Sequence, residues 1–268
     1  MTRLLTAAIL VPVAWYVCKR ASYPAFLAMA LLVIALASWE AYLLLEARGS
    51  RPFRALGVAL CLAAAWGFTT LPPALTPSVA LAAAAVVVPL VAMWRRDDAE
   101  AMVDATLTTV APVLFMGFTL GHCVGLRAVP GEEGSDLLML LLVCVALADT
   151  AAYYVGSTFG RHKLAPTLSP KKSWEGAFGG LAGSVSGGMA AHFWFFQRLP
   201  MRHAVAIAVL VWAAGLAGDL AESAWKRAAG LKDSSGILPG HGGMLDRVDG
   251  LLVAGPVLYY YWRAFLAA

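Results

Sequence analysis

Charge is what this chain has least of. Lys, Arg, Asp and Glu make up 13% of its 268 residues, while hydrophobic side chains make up 60%. A soluble domain carries about twice that charged fraction. A water-soluble globular protein is therefore excluded, and a polytopic membrane protein is implied. The few charges are scattered between apolar runs rather than gathered into one basic stripe, which argues against a nucleic-acid partner. Cysteine is scarce too. Cys18, Cys61, Cys123 and Cys144 lie within or beside apolar runs, and none has a C-x-x-C spacing. Neither a disulfide framework nor a zinc site is expected, and the four read as small buried hydrophobes. No soluble domain and no internal repeat interrupts the pattern, so the whole chain reads as one membrane-embedded domain.

What the chain does have is long hydrophobic runs. A bilayer core needs about 20 apolar residues per helix. Nine segments meet or approach this, at roughly 4–18, 22–45, 53–71, 75–94, 101–124, 136–159, 174–196, 201–229 and 244–266. The expectation is an all-α integral membrane protein with about nine transmembrane helices. The first run is short. It lacks a small-x-small cleavage site and is read as a retained span rather than a signal peptide. With the N-terminus on the cytoplasmic side, 14 of the 20 Lys and Arg residues fall on that side. The positive-inside rule then predicts N-terminus inside and C-terminus outside.

Against this background two polar islands stand out. The first lies at the end of the eighth run and the start of the ninth, S-A-W-K-R-A-A-G-L-K-D-S-S-G-I-L-P-G-H-G-G-M-L-D-R-V-D, from Ser223 to Asp249. Polar groups set against a membrane span are costly and are functional by default. Just upstream, Asp219, Glu222, Ser223 and Lys226 recur at three-, four- and seven-residue spacings, which places them on one helical stripe. Asp246 and Asp249 open the next run. Carboxylates facing phosphates suit Mg²⁺, which prefers oxygen ligands. Lys226, Arg227, Lys232 and Arg247 can hold phosphates, although each could also anchor the chain beside anionic headgroups. His241, Gly242 and Gly243 suit a loop whose amides approach an anion; a turn with a hydrogen-bonded histidine is the plainer alternative. The second island is F-G-R-H-K-L-A-P-T-L-S-P-K-K-S-W-E-G, after the sixth run. Ser173 can cap the seventh helix, so that its first amides and the neighbouring Lys171 and Lys172 point at an anion. An ordinary basic loop with a helix cap would look the same. Asp149, a turn from Tyr153 on the sixth run, reads equally as a ligand or a hydrogen-bonded buried acid. Glu40, between Trp39 and Tyr42 in the second run, has no evident partner and reads as structural or near the interface. The small-residue run of the seventh segment permits close helix packing or leaves room for lipid tails.

The first island resembles the signature of the phosphatidate cytidylyltransferases, the CDP-diacylglycerol synthases. It matches at Ser223, Lys226, Arg227, Lys232, Asp233, Pro239, His241, Gly242, Gly243, Asp246, Arg247 and Asp249, with one departure at Trp225. The second island resembles the family's S-P-K-K-[ST]-x-E-G element at Ser169, Pro170, Lys171, Lys172, Ser173, Glu175 and Gly176. The resemblance implies that CTP and phosphatidic acid are the substrates, in phospholipid biosynthesis at the bacterial inner membrane. It implies Asp219 and Asp246 as Mg²⁺ ligands, with Glu222, Asp249 and Asp149 as second choices, and leaves a second cation open. It implies Lys226 and Arg247 as catalytic cations. Lys171, Lys172, Ser173, Ser223, Arg227, Lys232, His241, Gly242 and Gly243 would bind substrate. The active-site segments are then about 149–176 and 219–249, and self-association into a homo-oligomer is left open. Two rivals have different chemistry: a CTP-dependent lipid kinase, and an ion-coupled transporter. The signature is foreign to the first, and the dense cations beside the acids do not suit the second. A CDP-alcohol phosphotransferase is excluded because Asp249-Gly250 is followed by L-L-V-A-G.

Overall fold

A computed structural model describes residue 12 and residues 15–69, 75–236 and 242–267. Helix dominates it. The helices are α1 (Tyr23–Ala47), α2 (Arg54–Trp66), α3 (Pro77–Arg95), α4 (Ala99–Pro112), α5 (Thr119–Arg127), α6 (Glu132–Phe159), α7 (Trp174–Trp194), α8 (Met201–Ala228) and α9 (Leu245–Phe265). A π-helical stretch, Val113–Phe118, joins α4 to α5. Two short strands, β1 (Lys163–Ala165) and β2 (Ser169–Ser173), form an antiparallel hairpin between α6 and α7. Among the described residues, α1, α3, the continuous run Ala99–Arg127, α6 and α8 are long and apolar enough to cross a membrane. The all-α polytopic membrane fold read from the sequence stands. Most of the first expected span, 4–18, lies outside the described residues, and so do Pro239 and His241.

The chain divides into two compact units. One comprises residues 1–128 and 225–248, the other residues 129–224 and 249–268. In the first, α1, α2, α4 and the π-helical stretch enclose an apolar core. Tyr42 of α1 is fully buried and donates its hydroxyl to the Thr109 carbonyl of α4, at 2.7 Å. Gly57 of α2 lies under the Tyr42 ring, where any Cβ would collide with it. The Cys61 thiol donates to the Pro112 carbonyl at 3.5 Å. Pro112 brings no N–H to the helical ladder, and the wider π register begins at the next residue. Helix starts follow the sequence: Thr76 accepts from Val79 N, and Asp98 from Ala101 N. All four cysteines are free thiols.

In the second unit, α6 and α7 pack along most of their length. The small residues of α7 make this possible. A Cβ on Gly179 would strike Val155, and one on Gly183 would strike the Leu147 carbonyl of α6. On the other side of α7, Gly188 meets Ala204 of α8, and Trp212 donates its indole N–H to the Ala177 carbonyl at 2.8 Å. The small-residue run thus serves close helix packing. The hairpin replaces the plain loop expected between the sixth and seventh runs. Its pairs are Lys163 with Ser173 and Ala165 with Ser169. Glu175 fastens it by accepting from the backbone N–H of Arg161 and His162 and from His162 Nδ1, the last at 2.6 Å.

Candidate active site

In the second unit, α8 and α9 approach so closely that a Cβ on Gly218 would collide with the Asp249 carbonyl. This approach gathers three acids. Asp219 and Glu222, one turn apart on α8, and Asp249 on α9 each offer an oxygen, and the three oxygens lie within 4.8 Å of one another. Glu222 is fully buried. Lys172, at the end of β2, forms an ion pair with Asp219, and the two side chains are 23% and 31% exposed. Ser223 donates to Asp219 Oδ1 at 3.5 Å. Asp149, exposed on α6, is near enough to Asp249 for their charges to interact. Ser173 accepts from Gly176 N at 3.1 Å, capping α7. Lys171 is exposed.

Three carboxylates this close repel one another unless positive charge stands among them. The Lys172 ammonium, paired with Asp219, supplies such a charge. The donor set is all oxygen, which fits a hard divalent cation. In this unit the structure therefore brings together Asp219, Glu222, Asp249, Ser223 and Lys172, from α8, α9 and the hairpin.

In the first unit, Lys226 and Asp246 form an ion pair, Nζ to Oδ1 at 2.7 Å, with side chains only 12% and 9% exposed. The other Asp246 oxygen, Oδ2, accepts from Gly243 N at 2.8 Å and Ser234 N at 3.1 Å. Asp246 thus ties the polar segment to the start of α9. Gly242 has φ +74°, a left-handed conformation suited to glycine. A Cβ on Gly243 would collide with Ser234 Oγ and the Glu40 carboxylate. Arg227 donates to the Leu231 carbonyl at 2.9 Å, and Arg227, Lys232 and Arg247 are exposed.

A family model described as "Cytidylyltransferase family" matches residues 1–265. The chain belongs to the cytidylyltransferase family. It is 40% identical over 158 residues to the phosphatidate cytidylyltransferase of Brucella suis, covering 58% of this chain and 57% of the relative. It is 42% identical over 134 residues to the Haemophilus influenzae enzyme of that name, 48% of this chain and 46% of the relative. It is 44% identical over 124 residues to the Pseudomonas aeruginosa one, 46% of each. The matched stretches thus span about half the length of these relatives.

Glu40, whose partners the sequence did not show, lies against the signature segment. Glu40 of α1 is fully buried and accepts four hydrogen bonds, from Ser234 Oγ, Ser235 Oγ, Met244 N and Leu245 N, at 2.6–2.9 Å. The sequence signal was an acid inside an apolar run. Its partners are about 200 residues away, beyond the reach of spacing arguments.

Proposed function

We propose that this chain transfers the cytidylyl group of CTP to phosphatidic acid, producing CDP-diacylglycerol and pyrophosphate. The observation that carries the reading is the carboxylate group Asp219, Glu222 and Asp249 faced by Lys172, in a chain whose family match runs from residue 1 to 265. A phosphate oxygen of the lipid attacks the α-phosphorus of CTP. A new P–O–P bond forms, the α–β bond breaks, and its electron pair leaves on pyrophosphate. The lipid phosphate is already anionic near neutral pH, so no protein nucleophile is needed. The protein must hold two anions together and offset the charge that develops. In this reading Lys171 and Lys172, with the amides at the Ser173-capped start of α7, hold phosphate groups. Lys226, Arg227, Lys232 and Arg247 do the same from the signature segment, with Ser223, His241, Gly242 and Gly243 lining the substrates.

Asp219, Glu222 and Asp249 would hold Mg²⁺, which when bound draws charge from phosphate oxygens and orients them. Asp246 is a further proposed metal ligand; a cation there would take the place of the Lys226 ammonium. The same reading makes the bacterial inner membrane the location, with the active site on the cytoplasmic side, where CTP is found.

The test is the fate of the label. With α-³²P-CTP, phosphatidic acid and Mg²⁺, label should enter the lipid phase with one pyrophosphate released per lipid labelled. Labelled CDP in the water phase with unlabelled phospholipid would identify a kinase instead. No product of either kind would leave transport as the surviving alternative.

Orientation rests on the division of basic residues. Single cysteines placed in the 48–54 segment and in the β1–β2 hairpin should react only with a membrane-permeant maleimide in intact cells. One near Arg198 should react with an impermeant maleimide. The opposite pattern would reverse the topology.

A further inference from the structure

Beyond these substrate and metal groups, the described residues of the first unit include a fully buried acid, Glu40. Glu40 sits in α1, and each of its carboxylate oxygens accepts two hydrogen bonds. Oε1 takes Ser235 Oγ at 2.6 Å and Met244 N at 2.9 Å. Oε2 takes Ser234 Oγ at 2.9 Å and Leu245 N at 2.8 Å. Two of these donors precede residues 237–241 and two follow them, so one carboxylate joins both flanks of the signature segment. Met244 and Leu245 also supply the first free amides of α9, which a negative charge suits. Ser234 Oγ lies 2.9 Å from Glu40 Oε2 and 2.9 Å from Asp246 Oδ2. Its single proton serves one acid at a time, and the hydroxyl thereby links the two. Gly243 fits the same arrangement, because a side chain there would occupy the space of Glu40 and Ser234.

We propose that Glu40 is a positioning residue for nucleotidyl transfer. Its carboxylate clasps both flanks of residues 237–241 and, through Ser234, fixes Asp246 and the start of α9. The inference rests on the transferase reading above for its consequence, but the clasp itself is a property of the folded chain. Charge and two acceptor oxygens are both required. A glutamine in either amide orientation turns an –NH₂ toward a backbone N–H, of Met244 or of Leu245, and neither of those donors can reverse. A purely structural acid, by contrast, would tolerate glutamine at the cost of general stability alone.

The test compares Glu40→Gln, Ser234→Ala and the double variant with the wild type in the same detergent. Turnover is measured with CTP, phosphatidic acid and Mg²⁺, and amide hydrogen exchange is followed without substrate. Glu40→Gln should lower kcat at least about tenfold, the scale of one lost charge-assisted contact. It should speed exchange at Met244 and Leu245 while residues 137–141, in the core of the other unit, keep wild-type protection. The losses in kcat of the two single variants should fail to multiply in the double variant, because both break the same link. Unchanged exchange at Met244 and Leu245 would overturn the proposal. So would exchange raised equally throughout the protein, or losses that multiply. Because exchange is read without substrate, a wild type that made no CDP-lipid would defeat the transferase reading and leave the clasp judged on exchange alone.

Discussion

Asp219→Asn should reduce turnover by about a hundredfold or more, equivalent to about 2.7 kcal/mol of lost transition-state stabilisation. The variant should still elute from size exclusion as the wild type does. The substitution keeps the shape of the side chain and removes one negative charge. It leaves Glu222 and Asp249 in place and takes away the counter-charge that Lys172 faces. Folding should suffer little, since one fewer carboxylate within 4.8 Å of two others relieves repulsion. Binding of a divalent cation should suffer much, since one of three ligands has lost its charge. The Mg²⁺ concentration giving half-maximal activity should therefore rise as turnover falls. Glu46→Gln is the control. Glu46 pairs with Arg54 at 3.0 Å, but the side chains are 37% and 30% exposed. Such surface pairs contribute about 1 kcal/mol at most, and both measurements should stay near the wild type. An Asp219→Asn protein with ordinary turnover and an ordinary Mg²⁺ response would remove Asp219 from the metal site.

The legible parts of this fold share a cause. A membrane leaves backbone groups no water to bond with, so long apolar runs must be helices. The spans at α1, α3, α6 and α8 could therefore be read directly from hydropathy. The stripe of Asp219, Glu222, Ser223 and Lys226 was legible because helical spacing is local. So was the cap at Ser173, because the donor lies three residues on, at Gly176. The β1–β2 hairpin was not legible. Its strands have three and five residues, β2 contains Pro170, and neither shows apolar alternation. It depends instead on Glu175 holding the N–H groups of Arg161 and His162. The close packing of α6 on α7 was half legible. The small residues of α7 were plain, but their neighbours, Leu147 and Val155, were not.

Site residues follow the same rule. Groupings of near neighbours in sequence could be read in advance, while contacts between distant residues could not. Asp249 was named after Asp246 because the segment alone does not show that Gly218 lets α9 approach α8 at Asp249. Lys172 was read as a phosphate ligand, and its ion pair with Asp219, 47 residues away, adds a second task. Its ammonium offsets the charge of one of the three acids that are proposed to hold the metal. Glu40 is the extreme case, since its partners Ser234, Ser235, Met244 and Leu245 lie about 200 residues further along the chain.

Asp246→Ala should destabilise the protein more than Lys226→Met does, although both should lower turnover by about a hundredfold or more. The pair is mostly shielded from water, at 9% and 12% side-chain exposure, so breaking it leaves a charge in a poorly solvated place. Loss of one partner of such a pair costs about 3–5 kcal/mol. The two variants differ in what remains. Without Lys226, Asp246 still accepts from Gly243 N and Ser234 N, at 2.8 and 3.1 Å. Hydrogen bonds to a charged acceptor contribute about 1.5–3 kcal/mol each, so much of the carboxylate's solvation persists. Without Asp246, the amides of Gly243 and Ser234 lose an acceptor together with the lysine, and the segment loses its tie to α9. The expected loss is about 3 kcal/mol or more for Asp246→Ala and about 1–2 kcal/mol for Lys226→Met, read as thermal unfolding in one detergent. Lys226 has a long stem that can carry its ammonium toward water when the acid is gone, which limits but does not erase the first cost. Equal destabilisation by the two variants would mean that the backbone donors of the segment add nothing, and Asp246 would be reduced to the partner of one lysine. Ordinary turnover in Lys226→Met would take that lysine out of the catalytic machinery altogether.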